Sequence, residues 1–125
     1  MMPTRLPYPD SPSPRTATTR PPRPPAHLKA AGRALWTGIQ RGYDLGETHQ
    51  QAILAAACEA ADRQVEAREA IARDGAYVDG GRYGMKAHPA LAVERDARLA
   101  MIRALRELGL DLVKDTAARP PSRWT

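Results

Sequence analysis

Nine of the twelve prolines lie within the first 25 residues, at positions 3, 7, 9, 12, 14, 21, 22, 24 and 25. That clustering divides the chain before any other feature is weighed. Proline lacks an amide donor and fixes φ, so PYPDSPSPRTATTRPPRPP can form neither helix nor sheet. Residues 1–25 are expected to be a disordered, polyproline-II-like, basic arm. What remains is a body of about 85 residues, His27 to Leu110. With no Phe, it must fill its interior from Leu, Ile, Val, Met, Ala and Trp36. A core that thin is commonly supplemented by disulfides, a metal or oligomerisation. The single cysteine, Cys58, excludes an internal disulfide, and no His/Cys cluster offers a zinc cage. Oligomerisation is what remains.

Periodicity makes the body mainly α, with three helices and one short hairpin. Leu28, Ala31, Leu35, Trp36 and Ile39 recur at steps of three and four, predicting a helix from just after Pro25 to about Arg41. Gly42 is expected to close it as a left-handed cap. A second helix should start near Asp44–Glu47, whose spacing fits a capping box, or at Gly46. It runs through Ile53, Leu54, Ala57, Cys58, Ala61, Val65, Ala67 and Ile71 to Arg73, where Gly75 ends it. Some 27 residues of helix span ~40 Å, too long to be covered on all sides by so small a body. In AYVDGGRYGMKAHP, Tyr77-Val78 and Arg82-Tyr83 flank Asp79-Gly80-Gly81, a β-hairpin signal between helices 2 and 3. Pro89 opens a third helix with an apolar stripe at Leu91, Arg95, Arg98, Met101/Ile102, Leu105 and Leu108. Leu105-x-x-Leu108-Gly109-Leu110 fits a Schellman end. The domain reading is an arm over 1–25, a helical core over 26–110 and a flexible tail over 111–125.

Charge adds a partner class. The net charge is +5, and residues 1–26 hold four Arg against one Asp, while the body is close to neutral. A basic, mobile arm beside a near-neutral body suits a phosphate-seeking protein, although it also suits a solubilising tail. The candidate DNA contacts are Arg15, Arg20 and Arg23 on the arm and Lys29, Arg33 and Arg41 off the apolar stripe of helix 1. The candidate oligomer interface is Ile53, Ala57 and Ala61 on helix 2 with Met101, Leu105 and Leu108 on helix 3. Arg119, Arg123 and Trp124, on a tail kept extended by Pro120-Pro121, have the composition of a docking segment.

The residues of an enzyme are missing. His27, His49 and His88 sit at three element starts without a consistently spaced acid and read as surface or capping residues. Cys58 reads as a small core residue. Glu59, Asp62, Glu66 and Glu69 are interleaved with Arg63, Arg68 and Arg73, which reads as a solvated, charge-laced face rather than a metal site. No catalytic residue, metal, cofactor or small-molecule substrate is expected. The longest apolar run, Ala52 to Cys58, is far short of the ~20 residues a membrane span needs, and no secretory signal is seen. A soluble, intracellular protein is expected.

The order of elements then resembles a known family. Pro25, His27, Leu28, Gly32, Arg33, Leu35, Trp36 and Ile39 follow the Pro-rich basic tail. Next come Tyr43-Asp44-Leu45, a long helix with Cys58 at its middle, Ala70-Ile71-Ala72-Arg73-Asp74-Gly75, then His88-Pro89 and Leu108-Gly109-Leu110. Over about residues 25–110 this resembles the P27-like phage terminase small subunits. His49, Ala57, His88 and Asp111-Leu112-Val113-Lys114 depart from that pattern. The resemblance implies a non-enzymatic, homo-oligomeric ring in the cytoplasm of an infected bacterium. Such a ring binds double-stranded viral DNA at the packaging start and regulates the ATPase and nuclease of the large terminase subunit. Two other readings stay open: a helical scaffold or head-assembly protein without DNA binding, and a small transcriptional DNA-binding protein.

Overall fold

The computed structural model describes Ser13–Pro14 and residues 20–110. The elements are β1 (Ser13–Pro14), α1 (Ala30–Gly42), β2 (Tyr43–Asp44), α2 (Thr48–Asp74), β3 (Tyr77–Asp79), a 3₁₀ turn (Gly81–Tyr83), β4 (Met85–Ala87) and α3 (Ala90–Glu107). The expected three helices with a hairpin between the last two are present. The tail over 111–125 lies outside the described residues.

Several boundaries differ from expectation, each for a local reason. Helix α1 begins at Ala30 rather than after Pro25, because a turn closed by Leu28 N–H on the Pro25 carbonyl (3.2 Å) first carries Leu28 into the core. Gly42 is the last residue of α1 and not a left-handed cap, since the chain leaves in extended form through Tyr43 (φ −134°, ψ 146°). That exit forms β2, which pairs antiparallel with β1, Ser13 opposite Asp44 and Pro14 opposite Tyr43. The arm therefore does contribute to a sheet at this point. An edge strand of two residues tolerates the missing proline amide.

Because Asp44 lies in β2, it cannot cap α2. Glu47 does so instead, in a reciprocal capping box with Gln50. Gly75 ends α2 at φ +86° with its N–H on the Ile71 carbonyl (2.7 Å). The hairpin pairs Tyr77 with Ala87, Val78 with Lys86 and Asp79 with Met85, so its second strand lies past Arg82-Tyr83, which form the turn. Pro89 stands at the N-cap, one residue before α3, and Gly109 adopts φ +76° with its N–H on the Arg106 carbonyl (2.8 Å).

The core gathers at one end of the long helix. Leu28, Trp36, Leu45, Leu54, Cys58, Leu108 and Leu110 are buried together, backed by Leu35, Ile39, Tyr43, Ile53, Ala55 and Leu105. Helix α3 is rotated from its expected stripe. Ala90, Glu94, Ala97, Met101, Leu105 and Leu108 face inward, while Leu91, Arg95 and Arg98 are exposed. The small Ala97 (2 % exposed) meets the Ala-rich side of α2, where close approach excludes bulky side chains.

Candidate nucleic-acid interface

Helices α1 and α2 cross at a glycine. A Cβ on Gly32 would stand 2.5 Å from Asp62 Oδ2 and 2.8 Å from the Cys58 carbonyl oxygen, closer than any side chain can lie. The approach brings Asp62, itself buried, to the start of α1. Its carboxylate accepts the N-cap N–H of Lys29 (2.8 Å) and the N–H of Gly32 (2.6 Å). Asp62 is therefore not part of a solvated acidic face. It is a cap supplied from another helix, for the N-cap Lys29 has no side-chain oxygen of its own to offer. A carboxylate already fills the positive end of α1, so no external anion is held there.

An open cleft of about 400 Å³ beside this crossing is lined by His27, Lys29, Glu59, Asp62, Arg63 and Glu66. Its charges largely answer one another: His27 Nε2 lies 2.6 Å from Glu59, and Lys29 pairs with Glu66. The hydrogen bond to Glu66, with its charge, holds the Lys29 ammonium above the ordinary lysine pKa. Among the described residues no group of three or more His, Cys, Asp or Glu is placed to hold a metal ion.

The basic side chains fall into two sets. Arg68 and Arg98 lie against Glu94, Arg73 against Asp74, and Arg95 against Asp96. Glu94, only 15 % exposed, also accepts Gln64 Nε2 at 3.1 Å, and that hydrogen bond holds its carboxyl below the usual range. By contrast, exposed Arg20, Arg23, Arg33 and Arg41 have no acidic partner among the described residues. Arg33 makes one long hydrogen bond to the Ala26 carbonyl (3.4 Å). Buried Trp36 donates its indole N–H to the Pro22 carbonyl (3.0 Å), which fastens the 20–25 segment against α1. Arg20 and Arg23 are thereby held beside the helix that carries Arg33 and Arg41. Of the predicted contacts, Lys29 is already paired, and Arg15 lies outside the described residues.

The remaining candidates sort by burial. Ala57, Ala61 and Leu108 are buried within the chain itself, whereas Ile53, Met101 and Leu105 are half-buried. Arg119, Arg123 and Trp124 lie outside the described residues. Cys58 is a core residue, and desolvation pushes its thiol up to about 12. His49 is exposed. His88 acts as a cap, with Nδ1 accepting the Ala90 N–H (2.9 Å) and Nε2 lying 2.9 Å from Asp74. Sequence reasoning missed the reach of Asp62, Glu59 and Asp74 across element boundaries. Only the glycine at 32, on an otherwise good helix, hinted at a close crossing.

No helix among the described residues is long and apolar enough to cross a membrane. No curated protein and no solved structure matches the chain. The family model for the phage terminase small subunit matches residues 33–122, well over half of the sequence, with most of α1 and the whole of α2 and α3. The match is to the family as a whole and does not separate a P27-like subtype. Terminase small subunits are generally non-catalytic, and their role lies in phage genome packaging. By its helices, their order and this match, the chain belongs to the phage terminase small-subunit family.

Proposed function

We propose that this chain is the non-enzymatic DNA-binding and regulatory component of a phage packaging motor. It assembles as a homo-oligomeric ring, holds double-stranded viral DNA at the packaging start and regulates the ATPase and nuclease of the large subunit. The observation that carries this reading is the anchoring of Pro22 by Trp36, which keeps Arg20 and Arg23 beside α1, where Arg33 and Arg41 have no acidic partner among the described residues. Guanidiniums without internal carboxylates are available for phosphate. Each contact is modest, and repetition around a ring multiplies them. Assembly is supported by apolar side chains left open on α2 and α3: Val65, Leu91, Val93, Leu99 and Ile102. The half-buried Ile53 and Leu105 pack against the core at the other end, and Met101 is half-buried on α3. The tail with Arg119, Arg123 and Trp124 is the proposed contact to the large subunit.

Retention of duplex DNA by the full chain, measured across a salt series, tests the reading. Log affinity should fall linearly with log salt, and R20A/R23A/R33A/R41A should flatten that line. An unchanged line would remove the arm and α1 from the interface. Native mass spectrometry should give a single closed oligomer. A stable oligomer with no salt-dependent DNA retention favours the scaffold reading instead, which the open apolar side chains alone would satisfy.

A further inference from the structure

The β3–β4 hairpin is built with more care than its own burial requires. At its root, His88 N–H donates to the Ala76 carbonyl (2.8 Å), and the His88 ring reaches Asp74. At its tip, Gly80 N–H donates to the Gly84 carbonyl (2.6 Å), Gly84 N–H to the Gly81 carbonyl (3.1 Å) and Gly81 N–H to Asp79 Oδ1 (2.8 Å). Gly81 and Gly84 take φ +72° and +79°, and a Cβ on Gly80 would lie 2.5 Å from the Gly84 oxygen. Three glycines thus set one tip geometry. Yet Tyr77, Tyr83 and Met85 are 65 %, 83 % and 68 % exposed, and only Val78, Gly80 and the root residue His88 are even half-buried. The ribbon is well tied yet covers almost nothing of its own chain.

Its charge is one-sided. Arg82 and Lys86 have no acidic partner among the described residues, whereas the nearby acids are occupied: Asp79 by the Gly81 amide, Asp74 by His88 and Arg73. The Arg82 guanidinium lies 5.3 Å from the Tyr83 ring centroid, a flat cation–aromatic pair at the leading edge. The major groove of duplex DNA, about 12 Å wide, admits a two-stranded ribbon whose strands lie ~5 Å apart.

We propose that the hairpin over 77–87 is a second DNA-contacting element, entering a groove tip first. Arg82 and Lys86 neutralise phosphates, and Tyr83 packs on the sugar and base surface. The proposal rests on the DNA-binding reading above and adds to it a contact at the opposite end of α2 from the core.

The test is anisotropy of the full chain on a labelled mixed-sequence duplex over a salt series, beside R82A/K86A, Y83A and R20A/R23A/R33A/R41A. These side chains are exposed, so thermal midpoints should match wild type. R82A/K86A should bind about tenfold more weakly with a shallower salt slope, since each lost phosphate contact removes ~0.9 from it. Y83A should weaken binding a few-fold at unchanged slope, and Y83F should restore it. If R82A/K86A matches wild type while the arm variant is weakened, the hairpin proposal fails and the DNA reading stands. If wild type itself shows no salt-dependent binding, both fall. If R82A/K86A binds DNA normally but loses assembly or ATPase stimulation, the hairpin's partner is a protein and the proposal is overturned.

Discussion

The two ends of α2 are packed to different standards. Around Leu54 and Cys58 the helix meets α1, the 45–47 entry and the end of α3, and Leu28, Trp36, Leu45, Leu108 and Leu110 close over it. Towards Asp74, the buried apolar contacts shrink to Ala67 and Ala97, while Val65, Leu91 and Val93 are exposed. Polar links do more of the joining there: Gln64 and Arg68 to Glu94, and His88 to Asp74 and Ala90. The difference separates the surface that holds the fold from the surface left open. One end carries the apolar burial that holds the chain together. The other keeps two helices in register by small side chains and hydrogen bonds, and leaves apolar and cationic groups outward.

Substitution should expose that asymmetry most sharply. Trp36→Ala removes a 3 %-exposed indole and its bond to Pro22, and should destabilise by about 4 kcal/mol in urea unfolding. Val93→Ser on the open end should change folding stability by less than about 0.5 kcal/mol. Comparable losses from the two would mean the ends are packed alike.

The next effect sits at the crossing. Asp62→Ala strands the Lys29 and Gly32 amides and should cost about 2–3 kcal/mol. Gly32→Ala, which drives a methyl into Asp62 and the Cys58 carbonyl, should cost about 2 kcal/mol. If the double variant loses no more than either single one, the two act as one contact.

Smaller again is His88→Ala, which removes the cap of α3 and should cost about 1 kcal/mol. Amide exchange should quicken first at the start of α3, with the core end unchanged. Uniform quickening would show that the two ends unfold together.

The smallest effect is acid sensitivity. Asp74 is held below its ordinary value by hydrogen bonds from His88 and then Arg73, and Glu94 chiefly by Gln64. Both carboxyls have depressed folded values, so their stabilisation is present above the ordinary values of 3.8 and 4.5 and is lost as pH falls through the folded ones. D74N/E94Q should therefore show a shallower decline in urea midpoint between about pH 5 and 3 than wild type. An equal decline would place the acid-sensitive groups at the core end.

Much of this architecture was legible in the sequence because it rests on local rules. The 3.6-residue spacing located three helices, Gly75 and Gly109 marked two stops, and the glycines after Asp79 marked a hairpin, although Asp79 ends its first strand and Gly81–Tyr83 make the turn. Local rules failed where a distant residue took over. Lys29 is a poor cap by identity, and α1 begins there because Asp62 arrives from α2. Asp44 and Glu47 have capping-box spacing, yet pairing of Tyr43–Asp44 with Ser13–Pro14 moves the cap to Glu47. On α3 the exposed Leu91 and the inward Glu94 reverse their ordinary preferences, because Ala97 must meet α2 and Gln64 satisfies the carboxylate.

The candidate interface divides the same way. Composition identified the arginines, since charge is a property of the residues themselves. Which of them stay unpaired was settled by tertiary structure, because an ion pair requires two side chains from separate turns or elements to meet. Lys29 meets Glu66, and Arg68 meets Glu94. Among the described residues Arg33, Arg41 and Arg82 meet no acid, and only the folded chain, by fixing where those carboxylates point, could decide that.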